Sequence, residues 1–374
     1  MSERVHLNYA GAGITSPAVD AAVRSYLDTE RALGPYEAEA RLGDGVVADA
    51  RAAIARLLGC ASSAVALFDN ATRAWGTLVT NLPFRSTDTV WVSPYDYVGN
   101  LFVLTNLRRT LGITIVPIPL TPLGDLDLDW VDRNLTDDVA LVSATHVPSC
   151  AGVVTDVAAL GTRLRGARAL LVVDGCQGVG NVPIDVAAYG CDVYTGAGRK
   201  FLAGPRGTAF AAVSQRYLAA AAPPVLDVHA VDVSPDLRTT IRVATGEDLE
   251  LAERSIATMA GLRVAVDEHL AGAAFARRQR LLARIEDQVA AWPSTVRLGD
   301  GSARAGICSV IFDGPDVEKV YRHLAEHGVN TWIGHGSHTP LFAGGIEFLR
   351  VSVGDRSTDA DVDVLLAELD AAIA

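Results

Sequence analysis

The stretch L-L-V-V-D-G-C-Q-G-V-G (residues 170–180) decides the fold, together with Y-T-G-A-G-R-K-F-L-A-G-P-R-G (residues 194–207). The first is an apolar run typical of a strand buried on both faces, and it ends at Asp174 before a glycine-rich turn. The second places Lys200 just past the next predicted strand. In open α/β sheets, ligands bind at the carboxyl ends of the strands, so both side chains are expected to face one crevice.

Similar runs alternate with helical stretches along the chain up to about residue 255. Several are almost continuously apolar, as expected of strands in a mainly parallel sheet. The helical stretches between them predict an α/β fold with a mainly parallel, seven-stranded sheet. The predicted strands are residues 64–69, 89–93, 113–119, 139–147, 170–174, 191–195 and 208–213.

The domain organisation follows from a change of pattern. Ser16 and Pro17 predict the start of a helix, because serine is a good N-cap and proline suits the first helical position. After residue 255, long helices and shorter strands predict a small α+β domain. A chain of 374 residues is long enough for two domains. We expect an N-terminal segment (1–15) packed on the small domain, a large cofactor-binding domain (16–255) and a small C-terminal domain (256–374).

Composition excludes several classes of function. The net charge of −12 and the absence of a basic cluster argue against nucleic-acid binding. No apolar run is long enough to span a bilayer, and the N-terminus does not resemble a signal peptide, so a cytoplasmic protein without membrane contact is expected. The five cysteines are widely spaced and contain no C-x-x-C, which argues against structural zinc and a disulfide framework. No metal is expected.

The pairing of Asp174 with Lys200 has a chemical explanation. Pyridoxal 5′-phosphate (PLP) chemistry needs an amine that forms a Schiff base and an acid that keeps the pyridine nitrogen protonated. Once freed by the substrate, the lysine can act as general base and acid at the substrate α-carbon. Taken singly, the aspartate could cap a turn and the lysine could be solvated. Together, beside several glycines, they predict a PLP site.

These motifs carry a family resemblance. D-G-x-Q followed by G-R-K-F-L-x-G-P-R-G resembles the fold-type I PLP enzymes, specifically the class V aminotransferase and cysteine desulfurase superfamily. The resemblance extends over nearly the whole chain, and it is greatest to the branch that contains the ergothioneine-pathway C–S lyase and isopenicillin N epimerase-like proteins. It implies a homodimer, because active sites of the family lie at the subunit interface.

The resemblance also implies roles for individual residues that contact the cofactor. Gln177 would hydrogen-bond its phenolic oxygen, Tyr97 would stack on its ring, and Ser149 would lie near its oxygen. Gln177 could instead be a polar group of the turn, and Tyr97 could be a core residue. The turn N-A-T-R (70–73) opens a helix, where free N–H groups and the helix dipole suit a phosphate, although the turn could equally be a simple cap. Its candidate phosphate contacts are Ala71, Thr72 and Arg73.

On the substrate side, Arg350 in the run F-L-R-V-S-V matches the family arginine that binds the substrate carboxylate, for which a guanidinium is well shaped. The loop before it carries Ser337 where desulfurases have their nucleophilic cysteine, and a hydroxyl cannot carry a persulfide. His335 and His338 could line the substrate pocket or serve as loop hydrogen-bonding groups.

The phosphate site departs from the family pattern as well. Ala197 stands where relatives carry serine or threonine, so the phosphate contact must come from other groups. The candidates are Thr195, Arg199 and, from a second subunit, Thr245.

The leading hypothesis from the sequence is a PLP-dependent C–S β-lyase that converts an S-substituted cysteine to a thiol, pyruvate and ammonia. It depends on the branch resemblance and on the missing desulfurase cysteine. Transamination, epimerisation and decarboxylation coupled to deamination of a small amino-acid substrate stay open. A non-catalytic scaffold with a PLP fold is the alternative from another class, and the intact Lys200, Asp174 and Arg350 argue against it.

Overall fold

A computed structural model describes residues 4–222, 227–272 and 274–373 of the chain. Fifteen strands are assigned in this part of the chain: β1 Val5–His6, β2 Val65–Phe68, β3 Thr89–Val92, β4 Thr114–Pro117, β5 Val139–Thr145, β6 Leu170–Asp174, β7 Val193–Ala197, β8 Ala209–Val213, β9 Val231–Val233, β10 Thr239–Ile241, β11 Thr295–Arg297, β12 Ile307–Phe312, β13 Val329–Asn330, β14 Trp332–His335 and β15 Glu347–Ser352.

The α-helices of the described residues alternate with these strands. They are α1 Pro17–Leu33, α2 Pro35–Ala38, α3 Asp44–Leu58, α4 Ala71–Thr80, α5 Val98–Leu111, α6 Leu128–Asn134, α7 Val157–Arg163, α8 Val186–Tyr189, α9 Gln215–Ala220, α10 Ile256–Ala271, α11 Ala274–Ala291, α12 Val317–Glu326, α13 Pro340–Ala343 and α14 Asp359–Ile373.

The large sheet has seven strands in the order β2-β8-β7-β6-β5-β3-β4. Its five central and outer strands from β7 to β4 run parallel, whereas β8 is antiparallel to both of its neighbours. The prediction of an α/β fold with a mainly parallel, seven-stranded sheet is confirmed. The predicted strand at 191–195 lies two residues further along, at Val193–Ala197, because Cys191 and Asp192 belong to the preceding turn.

The large sheet is buried on both faces. One core contains Trp91, Val142 and Leu171, and the other contains Val90, Leu141 and Val172. Successive residues of a strand point to opposite faces, so apolar residues at every position of the strand fill both cores.

A second, four-stranded antiparallel sheet has the order β11-β12-β15-β14. Helices α11, α12 and α14 cover it, and their apolar faces form a separate core with Val310 and Leu349 of the strands. Leu7 belongs to the same core, and Val5 in β1 pairs in parallel register with Val329 in β13. The described part of the N-terminal segment therefore contacts the small sheet.

Helix α10 follows residue 255 but packs against α1 and α3. Its Met259, Leu262 and Val266 belong to a core of the large sheet. Because α10 packs on the large sheet, the large layer extends past residue 255, where the sequence predicts its boundary. Helix α11 is the first helix that packs on the small sheet.

None of the helices in the described ranges combines the length and the apolar character that a bilayer crossing requires.

Candidate active site

The site lies where the parallel strands end. Asp174 is the last residue of β6, and Lys200 follows the end of β7 by three residues. Thr145, the last residue of β5, is in register with Asp174, which in turn is in register with Thr195. Because β5, β6 and β7 are parallel, their carboxyl ends meet at the same edge of the sheet.

A cavity of about 580 Å³ opens at this edge, between the large sheet, the N-terminal segment and the small sheet. This volume is in the range of small-molecule sites. Ten of the residues predicted from the sequence line it: Ala71, Thr72, Tyr97, Ser149, Asp174, Gln177, Arg199, Lys200, His338 and Arg350. A larger cavity of about 850 Å³ lies beside Cys60 and Cys191, but it holds no lysine and no strand-end acid, so we assign the active site to the smaller one.

Asp174 is buried and accepts two hydrogen bonds. Asn100 Nδ2 donates to Oδ2 at 2.9 Å, and the backbone N–H of Cys176 donates to Oδ1 at 3.0 Å. Two donors fix the orientation of the carboxylate. Asn100, in α5, was not among the residues predicted from the sequence. Its one signal is its place one turn after Tyr97 in the motif S-P-Y-D-Y-V-G-N.

Lys200 lies in the turn after β7. Burial lowers the pKa of its amine, and the neighbouring Cys176 and Asp174 oppose this shift. A lowered pKa increases the fraction of neutral amine, which is the nucleophilic form. The N-terminal segment covers this turn closely: Gly13 N donates to Arg199 O at 2.8 Å, and a Cβ at Gly13 would lie 2.6 Å from Lys200 O.

Arg350 projects from β15 of the small sheet into the same cavity. It donates weakly, at 3.4 Å, to Ser149 O and to Asn8 Oδ1, and its Nε has no hydrogen-bond partner. Within the described ranges, no carboxylate lies at ion-pair distance from it. Burial lowers the pKa of the guanidinium to about 10, so it stays charged at neutral pH. A buried guanidinium without an acidic partner suits a carboxylate ligand.

Gln177 supplies another unpaired group. Its Nε2 donates to Ala10 O at 3.0 Å, while its buried Oε1 has no partner. Buried polar atoms are normally hydrogen-bonded, so an unpaired oxygen at a cavity wall indicates a ligand contact. Together, the features of this cavity fit a group that carries a phosphate, a ring nitrogen and an aldehyde. They are the unpaired groups of Gln177 and Arg350, the pair formed by the acid Asp174 and the amine of Lys200, and the excess of positive charge.

The phosphate end of the cavity is the N-terminus of α4. Asn70 caps this helix by accepting from Arg73 N at 2.9 Å, and the free N–H groups behind it favour an anion. Arg206 and Thr208 also line the cavity here, although neither was predicted. A Cβ at Gly198 would lie 2.2 Å from Thr208 Oγ1, so the threonine hydroxyl occupies the space that a side chain at that position would need.

Five predicted residues do not line the cavity, and each has an evident reason. Arg73 turns towards Asp69, 3.9 Å away, and Thr195 is buried within the sheet, 3.4 Å from Val173 O. Thr245 Oγ1 donates to Asp248 at 3.1 Å within one chain. The other two are exposed: His335, the last residue of β14, pairs with Glu347 at 3.1 Å, and Ser337 lies in the short turn that follows. This placement does not support contacts of these five residues with the cofactor or substrate in a single chain.

The rim of the cavity is aromatic and basic. The ring of Tyr97 is 40% exposed and lies 6.3 Å from that of His338. His6, Asn8, Trp332 and Thr339 complete the rim and were not predicted. No sequence pattern indicated these four residues, because the N-terminal segment, β14 and the turn after it meet the large sheet only through tertiary packing.

The sequence profile of the family described as Aminotransferase class-V matches residues 5–365. A probable hercynylcysteine sulfoxide lyase of Mycobacterium tuberculosis is 29% identical, covering 99% of this chain and 90% of that protein. A probable cysteine desulfurase of Xylella fastidiosa is 26% identical, covering 85% of this chain and 78% of that protein.

Solved structures with the same fold include the apo form of a cysteine desulfurase from Thermococcus onnurineus, with a TM-score of 0.90 and 20% identity over 99% of this chain and 94% of that one. Another is a variant of the protein C-DES with glycine covalently linked to its PLP cofactor, with a TM-score of 0.87 and 19% identity over 98% and 96% of the two chains. At these identities, the likeness establishes the fold.

Proposed function

The chain belongs to the aminotransferase class-V family, and we propose that this member is a C–S β-lyase that converts an S-substituted cysteine to a thiol, pyruvate and ammonia. Pyridoxal phosphate is its cofactor. The observation that carries the proposal is a single cavity that holds Lys200, Asp174 and an unpaired Arg350 but offers no reactive thiolate.

Pyridoxal phosphate, when bound, withdraws electrons from the α-carbon of an amino acid and so weakens the bonds at that carbon. The amine of Lys200 would hold the cofactor and then move the proton at the α-carbon. Asp174, held by Asn100 and the Cys176 N–H, would keep the pyridine nitrogen protonated. Arg350 would bind the substrate carboxylate and so fix which α-carbon bond faces Lys200.

The cysteines of the chain argue against the desulfurase reaction, which needs a thiolate that accepts sulfur. Cys150, Cys176 and Cys308 are buried, whereas Cys60 and Cys191 lie at the other cavity. Burial raises the pKa of all five thiols, and Cys176, which lines the active-site cavity, is raised well above its usual value. A neutral thiol is a poor nucleophile. The similarity to a probable hercynylcysteine sulfoxide lyase over 99% of this chain supports cleavage with release of the sulfur group.

We also propose a homodimer. Tyr97 at the cavity rim and Phe102 on the same helix are exposed by 40% and 64%. Exposed aromatic side chains next to a site are typical of a subunit interface. Light scattering on the purified holoenzyme at micromolar concentration tests this proposal, and a mass near 39 kDa, that of one chain, would contradict it.

The function is tested by incubating the purified holoenzyme with a panel of S-alkyl cysteines and their sulfoxides and measuring pyruvate and the released sulfur product. We expect both in equal amounts, and we expect Lys200→Ala to lose the visible absorption of the cofactor together with activity. Product that forms only when an α-keto acid is added would indicate an aminotransferase. Release of CO₂, or a D-amino acid product, would indicate decarboxylation or epimerisation. Cofactor absorption without turnover of any substrate would favour the non-catalytic scaffold.

A further inference from the structure

A second cluster of potential ligands lies on the small sheet's outer layer, away from the active-site cavity. His323 lies in the last turn of α12, His327 is the residue that caps the end of this helix, and Glu368 faces them from α14. One ligand atom from each of the three residues lies within 4.8 Å of the others. None of the three lines the active-site cavity.

The contacts within the cluster converge on one carboxylate. His323 Nε2 lies 2.9 Å and His327 Nδ1 3.8 Å from the same oxygen, Glu368 Oε2. The two imidazole rings are stacked, with centroids 4.1 Å apart and an interplanar angle of 27°. His327 Nδ1 also donates to the carbonyl oxygen of His323 at 2.8 Å, so Nδ1 carries the ring proton and Nε2 is the nitrogen with a free lone pair.

This arrangement is a poor ion-pair site. Two protonated rings at such a separation would repel each other, and a single carboxylate could balance only one of them. A divalent cation resolves the conflict, because it accepts a lone pair from each neutral imidazole and one from the carboxylate. Two histidines at positions i and i+4 of a helix point to the same side, so they can reach one ion.

We propose that His323, His327 and Glu368 bind a divalent transition-metal ion such as Zn²⁺ and thereby join α12 to α14. Two imidazoles and one carboxylate match the donor preference of zinc, cobalt and nickel, whereas Mg²⁺ and Ca²⁺ prefer all-oxygen sites. Tetrahedral zinc, with bonds of about 2.1 Å, needs ligand atoms about 3.4 Å apart. The ligand atoms here lie within 4.8 Å of one another, so the side chains would move closer together when the ion binds. His327 is half exposed, so water can fill the remaining position.

The site would connect two helices of the small layer, α12 and α14. The chain continues from α12 into β13 and β14, and β14 begins at Trp332 on the active-site rim. Helix α14 is the last helix of the described residues. Because an ion that binds only the folded state stabilises it by mass action, the melting temperature should rise with metal concentration.

The test uses the holoenzyme after treatment with EDTA and gel filtration, titrated with Zn²⁺ by calorimetry. We expect one tightly bound ion per chain and a higher melting temperature with Zn²⁺ than with Mg²⁺. His323→Ala and His327→Ala should each weaken binding at least about tenfold, and Glu368→Gln should weaken it less, because the histidine pair remains.

His335→Ala is the matched control, because His335 is also an exposed histidine paired with a glutamate, at 3.1 Å, but it has only one such partner. It should bind Zn²⁺ as tightly as the unchanged protein. The visible absorption of the cofactor checks that each variant is folded, and His327→Asn, at the most exposed ligand, replaces any variant that is not. The proposal is overturned if the unchanged holoenzyme takes up no Zn²⁺ at 50-fold excess, or if the histidine variants bind it as tightly.

Discussion

At the scale of single residues, the active site depends on hydrogen bonds between elements far apart in the chain. Asp174 and Lys200 could be predicted because their residue types and strand-end positions carry the chemistry. Asn100 could not, because it reaches Asp174 across 74 positions and only after α5 has packed against the sheet. Thr208 was missed for a similar reason: it fills the space beside Gly198 from the start of the next strand.

Asn100→Ala should weaken cofactor binding. A hydrogen bond to a charged group contributes about 1.5–3 kcal/mol, so the PLP dissociation constant should rise roughly tenfold to hundredfold. Titration of the apoenzyme with PLP, followed by absorbance, measures it. Asn106→Ala is the control, because Asn106 lies on the exposed side of the same helix and pairs only with Arg109. Equal dissociation constants for the two variants would contradict the role of Asn100.

Asp96→Asn should change how stability depends on pH. Asp96 is buried beneath the site, with Oδ1 bound by Thr145 at 2.9 Å and Oδ2 unpaired. Burial, with a smaller contribution from the charge of Asp174, raises the pKa of its carboxyl to about 7. An unfolded aspartate loses its proton near pH 4, so the folded state binds more protons between about pH 4 and 7. The stability contributed by this group therefore falls as the pH rises through that window.

Asparagine has no proton to lose, so the variant should gain stability relative to the unchanged protein at pH 8 but not at pH 5. Three pKa units set an upper limit of about 4 kcal/mol for this difference. Urea unfolding at both pH values measures it, with Asp137→Asn, at an exposed position, as the control. The same effect at both pH values would rule out ionisation of Asp96 as the cause.

At the scale of elements, the strands of the large sheet were predictable, whereas the small hairpin and the packing of α10 were not. Seven apolar runs predicted the seven strands of the large sheet, because a strand that is buried on both faces needs apolar residues at nearly every position. The hairpin of β9 and β10 was not predicted, because its residues are mostly exposed and its strands are only three residues long. Nor could the sequence assign α10 to the large layer, since an apolar helix face does not indicate which core it meets.

A buried charged cluster joins α3 and β2 to the segment that precedes α10. Glu250, before α10, pairs with Arg51 of α3 and with Arg254, and it accepts from Leu67 N of β2 at 2.7 Å. Glu250→Leu would leave two largely buried guanidinium groups without their acid, so it should lower the free energy of unfolding by about 3–5 kcal/mol. Chemical denaturation measures this, and Glu253→Leu, at an exposed position three residues on, should change it by less than about 1 kcal/mol. Similar values for both variants would contradict the structural role of the cluster.

At the scale of the whole molecule, the cavity exists because two sheets are held at a fixed distance. Arg278 of α11 is buried at their boundary, where it donates to Asn181 O at 3.1 Å and pairs with Asp355. Asp355 also pairs with His269 of α10 at 2.9 Å. The sequence predicted two layers and their order along the chain, but not these links, because each depends on the final packing of the layers.

Arg278→Leu should therefore loosen the two layers. It removes a buried charge from its partners, so a loss of about 2–4 kcal/mol in the free energy of unfolding is expected. Differential scanning calorimetry measures it, and Arg280→Leu on the exposed side of the same helix, where the pair with Asp359 is solvated, should cost less than about 1 kcal/mol. An unchanged melting temperature for Arg278→Leu would contradict the link.

The N-terminal segment has a consequence for how the enzyme matures. Val5 pairs with Val329, Ala10 accepts from Gln177, and Gly13 closes over Lys200, so this segment finds its partners only after later parts of the chain have been synthesised. The wall of the cavity cannot close until β13 has been translated. Capture of vitamin B6 in a closed cavity must then follow the synthesis of β13.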